Sequence, residues 1–378
     1  MYIIGTGLTK FGEHFEKSLL DLALEASVEA VKESGLELSQ IDAVVVGNML
    51  SDTLSSQGHL GALLSSSLGL NVEAFRVEAA CASGGVAFKK GVDMLKAGQY
   101  QNILVVGAEK MCDHKSSEVV AGLTNAAHAE KESFYGLTFP SVYALMTQRY
   151  FYQYSIASKE LAAVAVKNHY HGARNNKAHF PKEITIDTVL KSSVVAEPLT
   201  LFDCSPISDG AAAVVLSLEA KPEAVKVLSS EIATDSVALQ DRQKITSIKA
   251  TKIAAKKAYK NADVTIKDID MLEVHDCFTI AEVIALEDLG FYKEGQAGQA
   301  AKLGHTYYNA KLPVNTSGGL KSAGHPVGAT GVKQVIEIVH QLQGRAEGRQ
   351  VNKAQLGLTH NVGGSGATAV VSILSSNI

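Results

Sequence analysis

Cysteine is scarce in this 378-residue chain: there are four, and no two form a Cys-x-x-Cys pair. So few thiols over such a length make no disulfide framework, so a reducing compartment is expected and any working cysteine acts as a thiol. An excess of charge is also missing. Lys and Arg number 35 against 39 Asp and Glu, a formal net charge of -4. Binding phosphate backbones or anionic membranes needs a clustered basic excess, so neither a nucleic-acid nor a membrane-surface role is expected. No apolar run approaches the roughly 20 residues that span a bilayer. The start, Met1-Tyr-Ile-Ile-Gly5, runs straight into polar residues without the apolar core of a secretory signal, and the closing Ser-Ser-Asn-Ile is no peroxisomal tripeptide. A cytoplasmic location is expected. The early Gly5-Thr-Gly7 lacks the third glycine of a dinucleotide fingerprint, because the next one is Gly12.

What is present is ordinary globular composition, 46% hydrophobic and 20% charged. The length suits two or three domains or one composite fold. Short apolar runs, Ala43 to Gly47, Ile103 to Gly107 and Ala212 to Leu216, read as buried strands. Ser18 to Ser34 reads as a helix with Leu20, Leu24, Val28 and Val31 on its inner face, Ser18 and Asp21 capping it and Gly35 ending it. Strands alternating with helices predict an α/β protein with mainly parallel sheets. Two segments echo each other in order. Ile41-Asp-Ala-Val-Val-Val-Gly-Asn48 resembles Ile269-Asp-Met-Leu-Glu-Val-His-Asp276, and Asp209-Gly-Ala-Ala-Ala-Val-Val-Leu-Ser217 resembles Ser365-Gly-Ala-Thr-Ala-Val-Val-Ser-Ile373. Two echoes at so long a period indicate a duplicated domain. The halves are 1–218 and 226–378, with an insertion at 112–200 in the first. The insertion is rich in Tyr, His, Lys and Arg and carries a helix from Ser158 to His171. It either shapes a binding surface or is a solvated excursion.

Four segments hold candidate chemistry. In Val77-Glu-Ala-Ala-Cys81-Ala-Ser-Gly-Gly, a strand gives way to small residues and a helix, which would place Cys81 at a helix N-terminus that favours a thiolate. His275-Asp-Cys277-Phe278 lies at the end of the strand opening the second half. With distant His325 it offers His and Cys ligands, but in no usual zinc spacing, so no metal is expected. Asn315 to Gly331 is dense in glycine, with Pro326 in the first turn of a helix and His325 at its N-cap. His360-Asn361-Val-Gly363-Gly364-Ser-Gly366 precedes the last strand and offers backbone N–H groups to an anion.

Together these segments and the duplication resemble the thiolase superfamily over essentially the whole chain. The resemblance implies two βαβαβαββ halves in a five-layered αβαβα arrangement with an inserted loop domain. The best-known thiolases carry Asn-Glu-Ala-Phe at residues 275–278 and a second cysteine where this chain has Asn361. The chain is more similar to archaeal acetoacetyl-CoA thiolases and sterol-carrier-protein-type thiolases, in which the His-Asp-Cys-Phe cysteine is thought to take over that role. The implied activity is making or cleaving acetoacetyl-CoA or another 3-ketoacyl-CoA. Cys81 would be the acylated nucleophile, His325 its base and Cys277 the second acid/base. His275 and His325 would form one oxyanion hole, and the backbone N–H groups of Cys81 and Gly363 the other. Phe278 would wall the pantetheine arm and Ser205 would hydrogen-bond it. Coenzyme A thioesters would be substrates and no resident cofactor is implied. The implied partners are a second or further copies of the chain and, as in archaeal relatives, a hydroxymethylglutaryl-CoA (HMG-CoA) synthase with a small OB-fold, zinc-ribbon protein. The alternatives are a condensing synthase of the ketoacyl or hydroxymethylglutaryl type, or an inactive thiolase-like binding subunit.

Overall fold

The computed structural model describes residues 1–376, so the last two residues of the Ser-Ser-Asn-Ile end lie outside the described residues. Its strands are β1 (Tyr2–Leu8), β2 (Ala43–Gly47), β3 (Glu73–Val77), β4 (Asn102–Glu109), β5 (Val194–Ala196), β6 (Leu199–Thr200), β7 (Gly210–Ser217), β8 (Val225–Thr234), β9 (Met271–Val274), β10 (Leu356–Gly363) and β11 (Thr368–Ser375). Nine of them join in the order β3-β2-β4-β7-β1-β8-β11-β10-β9, while β5 and β6 form a separate hairpin. The duplication is visible in this order. From one edge, β2 runs parallel to β4, which is antiparallel to β7, which is antiparallel to β1. From the other edge, β9, β10, β11 and β8 repeat those relations. The two sequence echoes fall on the pairs β2/β9 and β7/β11. The sheets are mixed, not mainly parallel, because each half closes with strands that return antiparallel.

The halves join by edge pairing of β1 with β8 at Tyr2↔Lys226 and Ile3↔Val225 alone. Alternation along the strands then builds layers. Val44, Val46, Leu104 and Val106 face an outer layer with the helix Leu19–Ser34, while Ala43, Val45, Ile103 and Val105 face inward. That inner core is filled by Phe88 and Val92 of the helix Ser83–Lys96 and by Val332, Ile336 and Val339 of the helix Val327–Leu342. The second half covers its outer face with the helices Lys249–Ala262 and Thr279–Asp288. The order helix, one half of the sheet, helix pair, the other half, helix gives the five layers that the resemblance implies.

The first helix runs from Leu19 to Ser34 with Ser18 and Asp21 as a capping box and Gly35 in the left-handed conformation, as the sequence predicts. Val31 is buried and Leu20 and Leu24 pack against the core, as expected, but Val28 is 51% exposed, and Leu19, Leu22, Ala23, Ala26 and Ala30 point inward as well. The reason lies in β1. A Cβ on Gly5 would stand 2.2 Å from the Ala30 carbonyl oxygen and one on Gly7 2.0 Å from that of Ala26. Backbone meets backbone there, so alanines rather than the larger Leu24 and Val28 define the contact. The early glycines serve packing.

The insertion supplies the helices Ser116–Thr124, Phe139–Tyr154, Ser158–Gly172 and Ile186–Leu190 and the β5–β6 hairpin. It is no solvated excursion: Val142, Tyr143, Met146, Tyr150, Leu161 and Val164 join the core of the second half.

Candidate active site

Two buried helices bring the chemistry together. The helix Ser83–Lys96 and the helix Val327–Leu342 touch through glycines in their first turns. A Cβ on Gly84 would lie 2.5 Å from the Gly328 carbonyl oxygen, and one on Gly331 would lie 2.1 Å from the Gly85 nitrogen. This approach places the N-terminal ends of both helices side by side, and with them Cys81 and His325. Pro326 is the N-cap of the second helix and His325 precedes it, one position before the expected cap.

Cys81 follows Ala80, whose φ of 52° turns the chain sharply between β3 and the helix. The Ser83 hydroxyl pins the turn, accepting from the Ala79 N–H at 2.9 Å and donating to the Ala80 carbonyl at 2.6 Å. Cys81 is half-buried. Its thiol is pushed well above the usual range, first by burial and then by Cys277, while the backbone N–H of Gly364 pulls the other way. Burial opposes the helix end, and one first-turn N–H there, that of Gly85, is spent on Asn361. Cys81 needs a base.

One nitrogen each of His275 and His325 lies with the Cys81 sulfur in a cluster whose atoms are all within 4.8 Å of one another. The rings meet edge to face with centroids 5.1 Å apart. Burial lowers His325 to about 3 and His275 well below its usual value, so both are neutral at pH 7. His325 Nδ1 contacts the Thr330 hydroxyl at 2.7 Å, and that hydroxyl donates to the Pro326 carbonyl at 3.0 Å. With its one proton so used, Thr330 accepts from His325 Nδ1–H, and Nε2 is left as a proton acceptor. One Cys and two His are also a donor set that a catalytic zinc accepts, with a fourth position open.

Cys277 is buried beside this cluster. Burial pushes its thiol up to about 11, offset by the Tyr143 hydroxyl and the Lys321 ammonium. Protonated at rest, it suits an acid that becomes a base after giving up its proton. Its loop is clamped from behind: Asp276 accepts from Leu320 N–H at 2.7 Å and from the Asn168 amide at 2.8 Å. In front, the Cys277 carbonyl accepts from Ser205 N–H at 2.9 Å and from Lys321 Nζ at 3.0 Å.

Ser205 lines a cavity of about 520 Å³ with Lys182, Phe202, Pro206 and Lys321. Phe278 is not among its lining residues. Its ring is 6% exposed and stacks on Tyr143 at 4.4 Å. Gly363 ends β10 against Ala79, and the N–H that reaches the Cys81 sulfur belongs to its neighbour Gly364.

Sequence reasoning missed Tyr143, Thr330 and Lys321. Tyr143 and Lys321 are remote in sequence from what they touch; Thr330 sits inside the glycine-rich segment, five residues after His325, where a helix N-terminal hydroxyl was a usable signal.

The chain matches the thiolase N-terminal domain over residues 1–220 and the thiolase C-terminal domain-like family over residues 232–376. It is 44% identical to an acetyl-CoA acetyltransferase of Methanothermobacter thermautotrophicus, covering 99% of this chain and 98% of the relative. It is 32% identical to human sterol carrier protein 2, covering 98% of this chain and 71% of the relative. Among solved structures, an Ltp2-ChsH2(DUF35) aldolase superposes with a TM-score of 0.86 at 23% identity, covering 100% of this chain and 97% of that one. The human mitochondrial 3-ketoacyl-CoA thiolase in complex with CoA superposes with a TM-score of 0.76 at 16% identity, covering 100% and 98%. The protein belongs to the thiolase family, with the thiolase fold.

Proposed function

We propose that the protein is an acetyl-CoA C-acetyltransferase that makes or cleaves acetoacetyl-CoA or another 3-ketoacyl-CoA through an acyl-Cys81 intermediate. The observation that carries this is the cluster of Cys81, His275 and His325 within 4.8 Å, with Cys277 beside it. Cys81 attacks the thioester carbonyl as His325 Nε2 takes its proton, and the coenzyme A sulfur leaves with the proton of Cys277. The enzyme now holds a Cys277 thiolate and a His325 cation. A second acetyl-CoA loses a methyl proton to Cys277, and its enolate oxygen sits between His275 and His325, both now donors. The enolate carbon attacks acetyl-Cys81, and the released Cys81 sulfur recovers its proton from His325. Every proton is accounted for and the resting state returns.

The cavity at Ser205 takes the coenzyme A arm, with the exposed Lys182 suited to its phosphates; no resident cofactor enters the scheme. A condensing synthase shares Cys81 but has no use for Cys277. An inactive binding subunit would not turn over acetoacetyl-CoA with free CoA. Assembly as a dimer or tetramer is supported by β3, an edge strand of half-exposed residues that ends four residues before Cys81. A cytoplasmic enzyme working beside an HMG-CoA synthase and a small OB-fold, zinc-ribbon protein fits the uphill condensation. The DUF35 named in the aldolase complex supports a small partner. Peptide mass spectrometry after mixing with acetyl-CoA tests the core claim: the acetyl group is expected on Cys81, and labelling of Cys112 or Cys204 with Cys81 untouched overturns it. Thiolysis across a chain-length series of 3-ketoacyl-CoA then fixes the substrate.

A further inference from the structure

We propose that Asn361 is a positioning residue that fixes His275 in its Nε2–H tautomer, so that this ring always presents a donor, and never a lone pair, to the enolate oxygen. The inference rests on the acyltransferase reading above and names what sets the donor. The amide of Asn361 has three contacts. Its Oδ1 accepts from Gly85 N–H at 3.1 Å, and its Nδ2 lies 3.1 Å from the Cys81 carbonyl oxygen and 3.1 Å from His275 Nδ1. The Gly85 N–H and the Cys81 carbonyl are backbone groups with fixed polarity, so they orient the amide one way only. Turned over, it would set oxygen against oxygen and NH₂ against N–H. In the allowed orientation an NH₂ group, which can only donate, faces His275 Nδ1. That nitrogen must be bare. A neutral imidazole then carries its proton on Nε2.

A second observation points the same way. His275 Nε2 is buried and has no hydrogen-bond partner. Buried polar atoms seldom stay unpaired, and an unpaired donor beside the reacting sulfur is suited to an acceptor that arrives with substrate. His325 is held the opposite way, with Nδ1–H on Thr330 and Nε2 bare. One ring is preset as a base and its neighbour as a donor, and the Asn361 amide is what keeps them different.

The test uses the full-length protein with ¹⁵N-labelled histidine. Two-bond ¹H–¹⁵N correlations are recorded for wild type and assigned to His275 by difference against His275→Ala. The expected signature is Nε2–H. In Asn361→Asp a carboxylate faces Nδ1, and the tautomer is expected to switch to Nδ1–H. Solvent exchange of the acetyl-CoA methyl protons should then fall by about a hundredfold or more, as for loss of an oxyanion donor. In Asn361→Ala the tautomer is no longer fixed, and exchange is expected to fall about tenfold with acetylation of Cys81 kept within a few-fold. A purely structural role, tying Cys81 to Gly85, would lower both steps together and leave the tautomer unmoved, and would overturn the proposal. A wild-type Nδ1–H signature overturns it without any variant. Absence of acetyl-Cys81 in wild type would instead defeat the acyltransferase reading, so the two failures are distinct.

Discussion

Lys321 Nζ donates to the backbone carbonyls of Cys277 at 3.0 Å and of Asp203 at 2.6 Å, tying the loop of the second thiol to the wall of the cavity. The side chain is buried, and its ammonium group is held among Asp276, Cys204, Cys277 and Asp203. Two consequences follow from one cation: the Ser205 segment is fixed in place, and the Cys277 thiolate is favoured. Lys321→Met keeps the length and removes the charge. Cys277 should then become a weaker acid, and the pH at which methyl-proton exchange reaches half its maximum should move upward. One pKa unit is a tenfold change in thiolate at a given pH below the pKa, so exchange at pH 7 should fall about tenfold or more. Rates of exchange across pH 6–10 check the shift. An unchanged profile would mean that Lys321 acts on packing alone.

Acid should unfold this protein through its histidines. Burial lowers His171, His325 and His360 to about 3 and His169 and His340 to about 4, below the 6.5 of an unfolded chain. Between those values the unfolded chain binds more protons, so stability rises with pH and is lost as pH falls below about 6.5. Asp276, raised to about 6, and Glu109, raised to about 7, work in the opposite sense, since the folded state holds their protons more tightly. With His179 and His275 also lowered and Glu273, Glu287 and Asp288 also raised, seven histidines outnumber five carboxylates, and each histidine contributes up to about 1.4 kcal/mol per pH unit. The melting temperature is expected to be flat from pH 8 to 7 and to drop steeply between pH 6.5 and 4.5. Scanning calorimetry in buffers of constant ionic strength measures it.

Much of this site was legible because its signals are local. Cys81, His275 and Cys277 stand just beyond the ends of strands and His325 in a glycine-dense segment before a helix, and the two echoes showed which strands correspond. What escaped depends on contacts across the chain. Phe278 stacks on Tyr143, 135 positions earlier and inside the insertion, a contact no local signal shows. Val28 was placed on the inner face of the first helix by its spacing, whereas Gly5 and Gly7 on β1 select Ala26 and Ala30 for the closest contact. The helix end at Cys81 is visible in sequence, whereas the burial that opposes a thiolate there comes from packed layers that sequence does not show.

Metal dependence is a separate question, because Cys81, His275 and His325 could together hold an ion. The thiol and imidazole scheme stabilises charge with N–H donors and requires no Lewis acid. Activity is therefore expected to survive exhaustive chelation, with acetyl-Cys81 still formed. Stoichiometric zinc by elemental analysis, with activity lost on its removal and restored on its return, would transfer these three residues to a metal centre.

The sharpest division of labour lies between the two cysteines. Cys81→Ala should lose the acyl-enzyme altogether, since no other thiol occupies its place between the histidines. Cys277→Ala should still form acetyl-Cys81, more slowly because the leaving coenzyme A sulfur must find its proton elsewhere. It should fail to exchange the methyl protons of acetyl-CoA with solvent. General acid–base groups contribute about a hundred- to ten-thousandfold, so the defect should be large. Asn361 touches both Cys81 and His275, but an amide cannot transfer this proton at neutral pH. Asn361→Ala should accordingly cost much less than Cys277→Ala. If Cys277 were only a packing residue in its buried site, truncation to Ala would lower stability modestly and leave turnover of the folded protein intact. Parallel measurement of melting temperature, Cys81 acetylation and proton exchange on the folded variants separates these outcomes. Near-normal exchange in Cys277→Ala would move the second acid/base to another group, with the neighbouring Tyr143 hydroxyl the first to examine.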